Sequence, residues 1–255
     1  MNIVVLLKQT FDTEEKITIV NGVISDDGVK YVINPYDEYA VEEALRIKEE
    51  HGGHVTVLSV GPDRTAEALR TALAMGADEA VLISDERIPH DELSISKSIA
   101  AYLKTVSYDI IIGGNFSVDS GGGQVAIRLA QLLQLPHAAS ITKLELQERQ
   151  ATATRDVEGD TEVIEVTLPA LFTAQQGLNE PRYPSLPGIM KAKKKPFTQL
   201  TLDDLTIPFD HITARTEQVS LSMPPERKSG RILQGELAQQ AAQLVHLLRT
   251  EAKLI

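Results

Sequence analysis

The chain has 255 residues, 42% of them hydrophobic and 24% charged, enough for a large buried core and ordinary for a globular protein in water. Its net charge of −11 disfavours nucleic acid and anionic membrane surfaces, and no apolar run approaches the roughly 18 residues of a membrane-crossing helix. Cysteine and tryptophan are absent and aromatics make up 4%, which excludes disulfides, thiolate chemistry and Cys-held metal or iron–sulfur sites, and argues against a stacking platform for single-stranded nucleic acid.

Residues 1–7 are too short and lack the basic lead of a signal peptide, so they read as a buried first strand, and the absence of cysteine makes the cytoplasm the expected compartment. Residues 16–20 alternate, Asn21-Gly22 suits a primed turn, and Val23-Ile24 returns as the second arm of a hairpin. Pro35 disfavours helix at Asn34, and Asp37 is placed to cap the helix that follows. That helix carries Ala40, Val41, Ala44, Leu45 and Ile47 on one stripe and stops at Gly52-Gly53. Residues 54–60 form a second strand, 65–75 a helix, 80–83 a third strand, 95–105 a helix and 110–112 a fourth strand. A glycine-rich loop leads to a helix at 125–135, stopped before Pro136, and a fifth strand lies near 139–144. Strands alternating with helices predict an α/β fold, a doubly wound parallel sheet with helices on both faces.

Beyond Leu146 the texture changes. Residues 151–156 and 163–168 read as strands joined at Glu158-Gly159-Asp160, and Pro169 precedes another apolar run at 170–174. Residues 175–196 read as a loop stiffened by Pro181, Pro184 and Pro187, and the segments after Phe197 are short and Pro-broken. Residues 237–248 fit an amphipathic helix with Ala241, Leu244, Val245 and Leu248 on one side. A tail with no core of its own is expected to pack on another surface.

In open parallel sheets ligands bind at the carboxyl ends of strands, near the point where strand order reverses. Three loops qualify: the one after the first strand, the one around Asn34, and the run Gly113-Gly114-Asn115-Phe116-Ser117-Val118-Asp119-Ser120-Gly121-Gly122-Gly123-Gln124. In the last, glycines let backbone N–H groups approach a phosphate, the following helix start favours an anion, and Ser120 and Gln124 add donors. The run lacks the lysine of a Walker loop and the GxGxxG spacing, so its composition fits either a phosphate cradle or a flexible loop ending in a helix cap. The six histidines show no metal-ligand spacing and no nucleophile elbow occurs, so neither metal nor catalytic residues are assigned. Lys191-Ala192-Lys193-Lys194-Lys195 is a basic cluster in an acidic chain, either a solvated helix end or a docking patch for an acidic partner. Ahead of it, Leu186 sits between Ser185 and Pro187, where a stiff exposed leucine would make a low-entropy anchor.

Several of these residues fall into a known pattern. Asn34-Pro35-Tyr36-Asp37-Glu38, the stretch from Arg70 through Ala74-Met75-Gly76-Ala77-Asp78, and the stretch from Leu178-Asn179-Glu180-Pro181-Arg182 to Lys195 resemble the electron transfer flavoprotein β-subunit family. So do Ala153-Thr154-Arg155, Glu158-Gly159-Asp160, Glu162, Ile164, Pro169 and Leu171, with Phe172 standing where the family has an aliphatic residue. The resemblance spans about residues 1–235.

It implies an adenine-nucleotide-binding, Rossmann-like domain over residues 1–205, including a partner-recognition loop near 175–196. Residues 206–255 would form an extended C-terminal arm packing on an α subunit. It further implies a heterodimer without catalysis of its own. An α subunit holds most of the FAD, and electrons come from dehydrogenases such as acyl-CoA dehydrogenases of fatty acid β-oxidation. They leave through a quinone oxidoreductase toward the quinone pool. AMP would bind structurally at Leu6, Asn34, Pro35, Tyr36, Asp37, Val60, Gly113, Gly114, Asn115, Asp119, Ser120, Gly121, Gly122, Gly123, Gln124 and Val125. Phe11, Asp12, Thr13 and Asp156 would lie near the flavin, although the family often has an aromatic residue near Thr13 and Glu at Asp156. Leu186, Pro187, Ile189, Met190 and Lys191 would meet the dehydrogenase, with Leu186 on a mobile stalk. Membrane insertion and nucleic-acid binding are not expected. The alternatives are a bifurcating-type β subunit with a second FAD and NADH, and a nucleotide-binding sensor of universal-stress type. A nicotinamide dehydrogenase would need a glycine fingerprint after the first strand, where Leu7-Lys8-Gln9-Thr10 has none.

Overall fold

The computed structural model describes residues 1–225 and 229–255. In chain order its elements are β1 (Asn2–Leu6), β2 (Gln9–Phe11), β3 (Ile19–Val20), β4 (Val23–Ile24), β5 (Tyr31–Ile33), α1 (Pro35–His51), β6 (His54–Val60), α2 (Ala66–Met75) and β7 (Glu79–Ile83). Then come α3 (Glu92–Leu103), β8 (Ile110–Gly114), α4 (Val125–Leu133), β9 (His137–Gln147), β10 (Gln150–Val157), β11 (Asp160–Thr167), β12 (Ala170–Ala174), α5 (Leu186–Ala192), β13 (Phe197–Leu200) and α6 (Leu237–Thr250).

A nine-stranded sheet runs β11-β10-β9-β12-β8-β1-β6-β7-β13. It is parallel from β9 to β13, and β10 and β11 fold back as an antiparallel extension. The chain starts in the middle, builds outward through β6 and β7, then returns to place β8 on the other side of β1. The strand order therefore reverses between β1 and β8, and their carboxyl ends part around a crevice.

Both faces are covered, so the central strands are apolar along their whole length rather than alternating. Ile3 and Val5 of β1 point to one face with Val57, beneath Val41, Ala44 and Leu45 of α1 and Leu69 and Leu73 of α2. Val4 and Leu6 point to the other with Leu58 and Ile111, beneath Ile99 and Leu103 of α3 and Leu129 of α4. The doubly wound α/β architecture read from the sequence is the one observed.

The short antiparallel pair β2–β5, helix α5 and strand β13 fall outside that reading. Three prolines argue for loop throughout 175–196, yet α5 occupies Leu186–Ala192. Pro187 falls in the first turn, where its missing N–H costs no intrahelical bond, and the Ser185 side chain accepts from the Gly188 N–H at 3.1 Å. Leu186 is thus the first residue of a capped helix rather than part of an irregular stalk. After it, β13 adds an edge strand along β7, with Phe197 opposite Ala80 and Leu200 opposite Ile83. The hairpin predictions hold: Asn21 and Gly22 both take positive φ (52° and 77°) between β3 and β4, as do Glu158 and Gly159 (49° and 95°) between β10 and β11.

The chain stays on the body beyond β13. Leu202, Leu205 and Ile212 are buried in the α3–α4 side of the core, and the Arg215 N–H donates to Asp91 at 3.0 Å. Farther on, α6 buries none of its residues and exposes Leu237, Leu244 and Val245.

Candidate functional site

The crevice at the strand-order reversal is lined by the carboxyl ends of β1, β6 and β8, the start of α1, the loop after β8, and the first turn of α4. Leu6, Leu58, Val60, Ile95, Ile99 and Ala126 give it an apolar floor of the kind that accepts a flat ring. At its other side the Gly122–Gly123 backbone leads into α4. The residue before α4, Gln124, makes no capping hydrogen bond; its side-chain oxygen accepts from Arg128 instead, at 3.0 Å. The first N–H groups of α4 therefore lack a side-chain acceptor where the helix meets the crevice, which suits an anionic group.

Two glycines are fixed by geometry. A Cβ on Gly114 would stand 2.3 Å from Asp37 Oδ1, and one on Gly123 would stand 3.1 Å from the Asn115 carbonyl with φ at +58°. The first allows α1 to approach β8, and the second allows the loop to turn into α4.

Asp37 does not cap α1. Pro35 opens that helix with Asn34 at the cap position, and Asp37 lies within the first turn, buried, facing the sheet. Its carboxylate accepts the Lys8 N–H at 2.7 Å and the Gly114 N–H at 2.8 Å. It thereby ties the ends of β1 and β8 together just past Leu6 and Gly113, where their own pairing stops. Asn34 works similarly, donating to the Phe116 carbonyl at 2.9 Å and accepting from the Val118 N–H at 3.1 Å, so α1's start holds the loop after β8. This side-chain use explains why neither residue is free to cap.

Burial pushes the Asp37 carboxyl up from 3.8 to about 7, against the lowering pull of the Lys8 and Gly114 N–H groups, Asn34 and the Lys8 charge. The folded state then holds this proton more tightly than the unfolded chain. Its contribution to stability is complete below the ordinary value and is lost as pH rises through about 7. Replacing Asp37 with Asn should accordingly cost more stability at about pH 5 than at about pH 8, measured by denaturant unfolding of both proteins. A cost that grows with pH would show that the ionised form is the stabilising one.

Lys8 is a site residue that the sequence reading did not single out. Its Nζ donates to Asp119 at 2.7 Å and to Ser117 Oγ at 3.2 Å, and Ser117 and Ser120 share a hydrogen bond of 2.8 Å. Burial alone would raise Asp119, but the charge and hydrogen bond of Lys8 outweigh it and hold the carboxyl below its ordinary value. His90 and Glu92 are further lining residues not foreseen, as is Ser59, whose buried hydroxyl has no hydrogen-bond partner; Phe116, part of the glycine-rich run read from the sequence, also lines the crevice. Of the predicted binding residues, Leu6, Asn34, Asp37, Val60, Gly113, Gly114, Asn115, Ser120, Gly122, Gly123, Gln124 and Val125 line the crevice. Pro35, Tyr36, Asp119 and Gly121 are not part of that lining, and Asp119 and Gly121 are exposed. Tyr36 packs its ring 4.1 Å from Phe116.

A second surface lies elsewhere on the molecule. Leu186, Pro187, Ile189, Met190 and Lys191 are all exposed on α5, with Leu186 at 73% and neighbouring Tyr183 at 94%. Four large apolar side chains outside the core in one short segment are more than scattered exposure.

Comparison with known proteins decides what carries these two surfaces. The family model for the electron transfer flavoprotein domain matches residues 21–205. The electron transfer flavoprotein subunit beta of Bacillus subtilis is 55% identical over 257 residues, covering all of both chains. Its namesake in Syntrophomonas wolfei is 38% identical over all of this chain and 98% of its own. That of Bradyrhizobium diazoefficiens is 36% identical over all of both. The chain belongs to the electron transfer flavoprotein β-subunit family.

For an electron transfer flavoprotein β subunit the flavin is the other point of interest. Phe11, Asp12 and Thr13 lie at and after the end of β2, and Asp156 lies exposed on β10; none lines the crevice. Asp12 pairs with Lys30 at 2.9 Å, which holds it below its ordinary value. Asp156 stands opposite Thr161 in the β10–β11 ribbon. No helix among the described residues of this electron transfer flavoprotein chain is long and apolar enough to cross a membrane.

Proposed function

We propose that the chain works in the cytoplasm as the β half of an electron-carrying heterodimer. The α subunit holds most of the FAD, and this subunit holds AMP in the crevice between β1 and β8. Electrons arrive from dehydrogenases such as acyl-CoA dehydrogenases and leave through a quinone oxidoreductase. FAD supplies the redox chemistry. The residues of this chain bind, orient and dock, and none performs a catalytic step.

The observation that carries the nucleotide reading is the uncapped start of α4 opening onto a crevice with an apolar floor. The residues present fit an adenylate. Leu6, Val60 and Val125 offer apolar surface to a base. The backbone of Gly122, Gly123 and Gln124 with the first turn of α4 offers donors to a phosphate. Ser59's buried, unpartnered hydroxyl and the Lys8 side chain add polar groups to the lining. The remaining predicted residues, Pro35, Tyr36, Asp119 and Gly121, are assigned to the same site, Asp119 through its pair with Lys8 and Tyr36 through its packing on Phe116. Phe11, Asp12, Thr13 and Asp156 are assigned to the flavin-facing side.

Residues 206–255 are assigned as the arm that packs on the α subunit; the bare apolar side of α6 supports this for its end, whereas Ile212 and Arg215 hold its start to this chain's own body and residues 226–228 lie outside the described residues. Co-expression with the α subunit tests the assembly. The two chains should co-purify as a heterodimer carrying FAD, and the isolated chain should aggregate. Truncation after residue 235 should weaken the heterodimer. A stable, monodisperse chain that ignores the α subunit would contradict the assignment.

A further inference from the structure

We infer that Arg182 is a positioning residue for partner docking: it anchors the exposed apolar face of α5 to the body of the protein. The inference rests on the reading of Leu186 as the dehydrogenase anchor. Seven residues are too few for a helix to hold its own shape, so α5 must be fixed by its ends. At its leading side, Arg182 spans two carboxylates of α1. It meets Glu42 through Nε at 2.8 Å and Nη2 at 3.0 Å, and Glu49 through Nη1 at 2.5 Å and Nη2 at 3.1 Å. Its own N–H also donates to Glu42 at 3.1 Å.

Glu42 is nearly buried, its side chain 7% exposed, so this is a fixed fork rather than a loose surface pair. At the trailing side, Lys195 donates to the Leu73 and Ala77 carbonyls at 2.9 and 2.5 Å, closing the last turn of α2. Between these two ties the backbone of Gly188 lies against the Ala74 carbonyl. Leu186 and Met190 project outward from a helix whose both ends are bound to the body. A mobile stalk would have to be ordered each time a partner binds; a face already in place avoids that entropy cost. Lys195 is also removed by this arrangement from the basic cluster available to a partner, leaving Lys191, Lys193 and Lys194.

The test uses the intact heterodimer and one of its dehydrogenases, with reduction rate followed against heterodimer concentration. Arg182→Ala should raise the half-saturating concentration about five- to tenfold and leave the limiting rate within about twofold, as expected for a loss of preorganisation rather than of chemistry. Arg182→Lys should recover only part, because one ammonium cannot bridge both carboxylates in a fork. Glu49→Gln removes only the outer, more exposed arm; it should shift the same parameter in the same direction by less, and it keeps the test available if Arg182→Ala unfolds. In a Leu186→Ala background, Arg182→Ala should add less than about twofold, since the two then act through one contact. An unchanged half-saturation in the folded Arg182 and Glu49 variants, with Leu186→Ala still impaired, would overturn the positioning role alone. A full Arg182 effect persisting in the Leu186→Ala background would overturn it as well. An inert Leu186→Ala would instead remove the recognition reading, and the positioning role with it.

Discussion

Leu186→Ala in the heterodimer should weaken dehydrogenase binding about tenfold or more while leaving flavin content, AMP content and thermal stability unchanged. The asymmetry follows from where the residue sits. Leu186 is 73% exposed, so truncating it removes little that the fold uses. In a partner's pocket the same side chain would leave water, a change worth roughly 1.5–3 kcal/mol, and about 1.4 kcal/mol is a tenfold change in affinity. Salt dependence separates this contribution from that of the lysines. Charges at Lys191, Lys193 and Lys194 act through solvent and should be screened at high ionic strength, whereas apolar burial should not. Reduction rates of wild type, Leu186→Ala and a Lys191/Lys193/Lys194 triple alanine variant, each at low and high salt, supply the comparison. Equal rates for Leu186→Ala and wild type at both salts would take the recognition role away from α5.

Gly123→Val should abolish the AMP binding proposed for the crevice between β1 and β8. Gly123 holds a φ of +58°, where an L residue costs about 1–2 kcal/mol and a β-branched one is especially ill suited. Its Cβ would press on the Asn115 carbonyl at 3.1 Å, and its methyls would add bulk to the crevice lining beside the start of α4. The expected result is AMP falling from one per heterodimer to near none, with a heterodimer that still forms but melts earlier. Acid release followed by chromatography gives the content. Full AMP occupancy in the variant would show that the phosphate lies somewhere other than this loop.

Much of the fold is legible in the sequence because the parallel sheet announces itself. Strands buried on both faces are continuous apolar runs, such as Ile3 to Leu7 and Ile110 to Ile112, the second ended by Gly113. Residues 54–60 match β6 at both ends. The errors lie where one residue type serves two purposes. Asp37 at the third position after Asn34 has the look of a helix cap, yet its carboxylate is turned to two N–H groups from β1 and β8, partners 29 and 77 residues away. Local pattern cannot show such a partner. Helix α5 is hidden because prolines usually stop helices, and here Pro187 starts one. Strand β13 has two exposed polar residues in four and forms because β7 offers it an edge. Lys8 is not legible as a site residue, because a lysine after a buried strand is ordinary surface chemistry until the loop holding Asp119 is folded over it. The glycine-rich loop was readable as a candidate phosphate site from composition, and the fold adds what composition lacks: a floor of apolar side chains from three other segments.

The nucleotide content of the purified heterodimer tests the account most directly. Denaturing the complex and quantifying FAD and AMP against protein should give one of each per heterodimer, with FAD retained by the α subunit and AMP lost selectively in Gly123→Val. Two FAD and no AMP per heterodimer would contradict it, because the crevice between β1 and β8 would then hold a second redox cofactor and the subunit would not be the passive carrier of an adenylate.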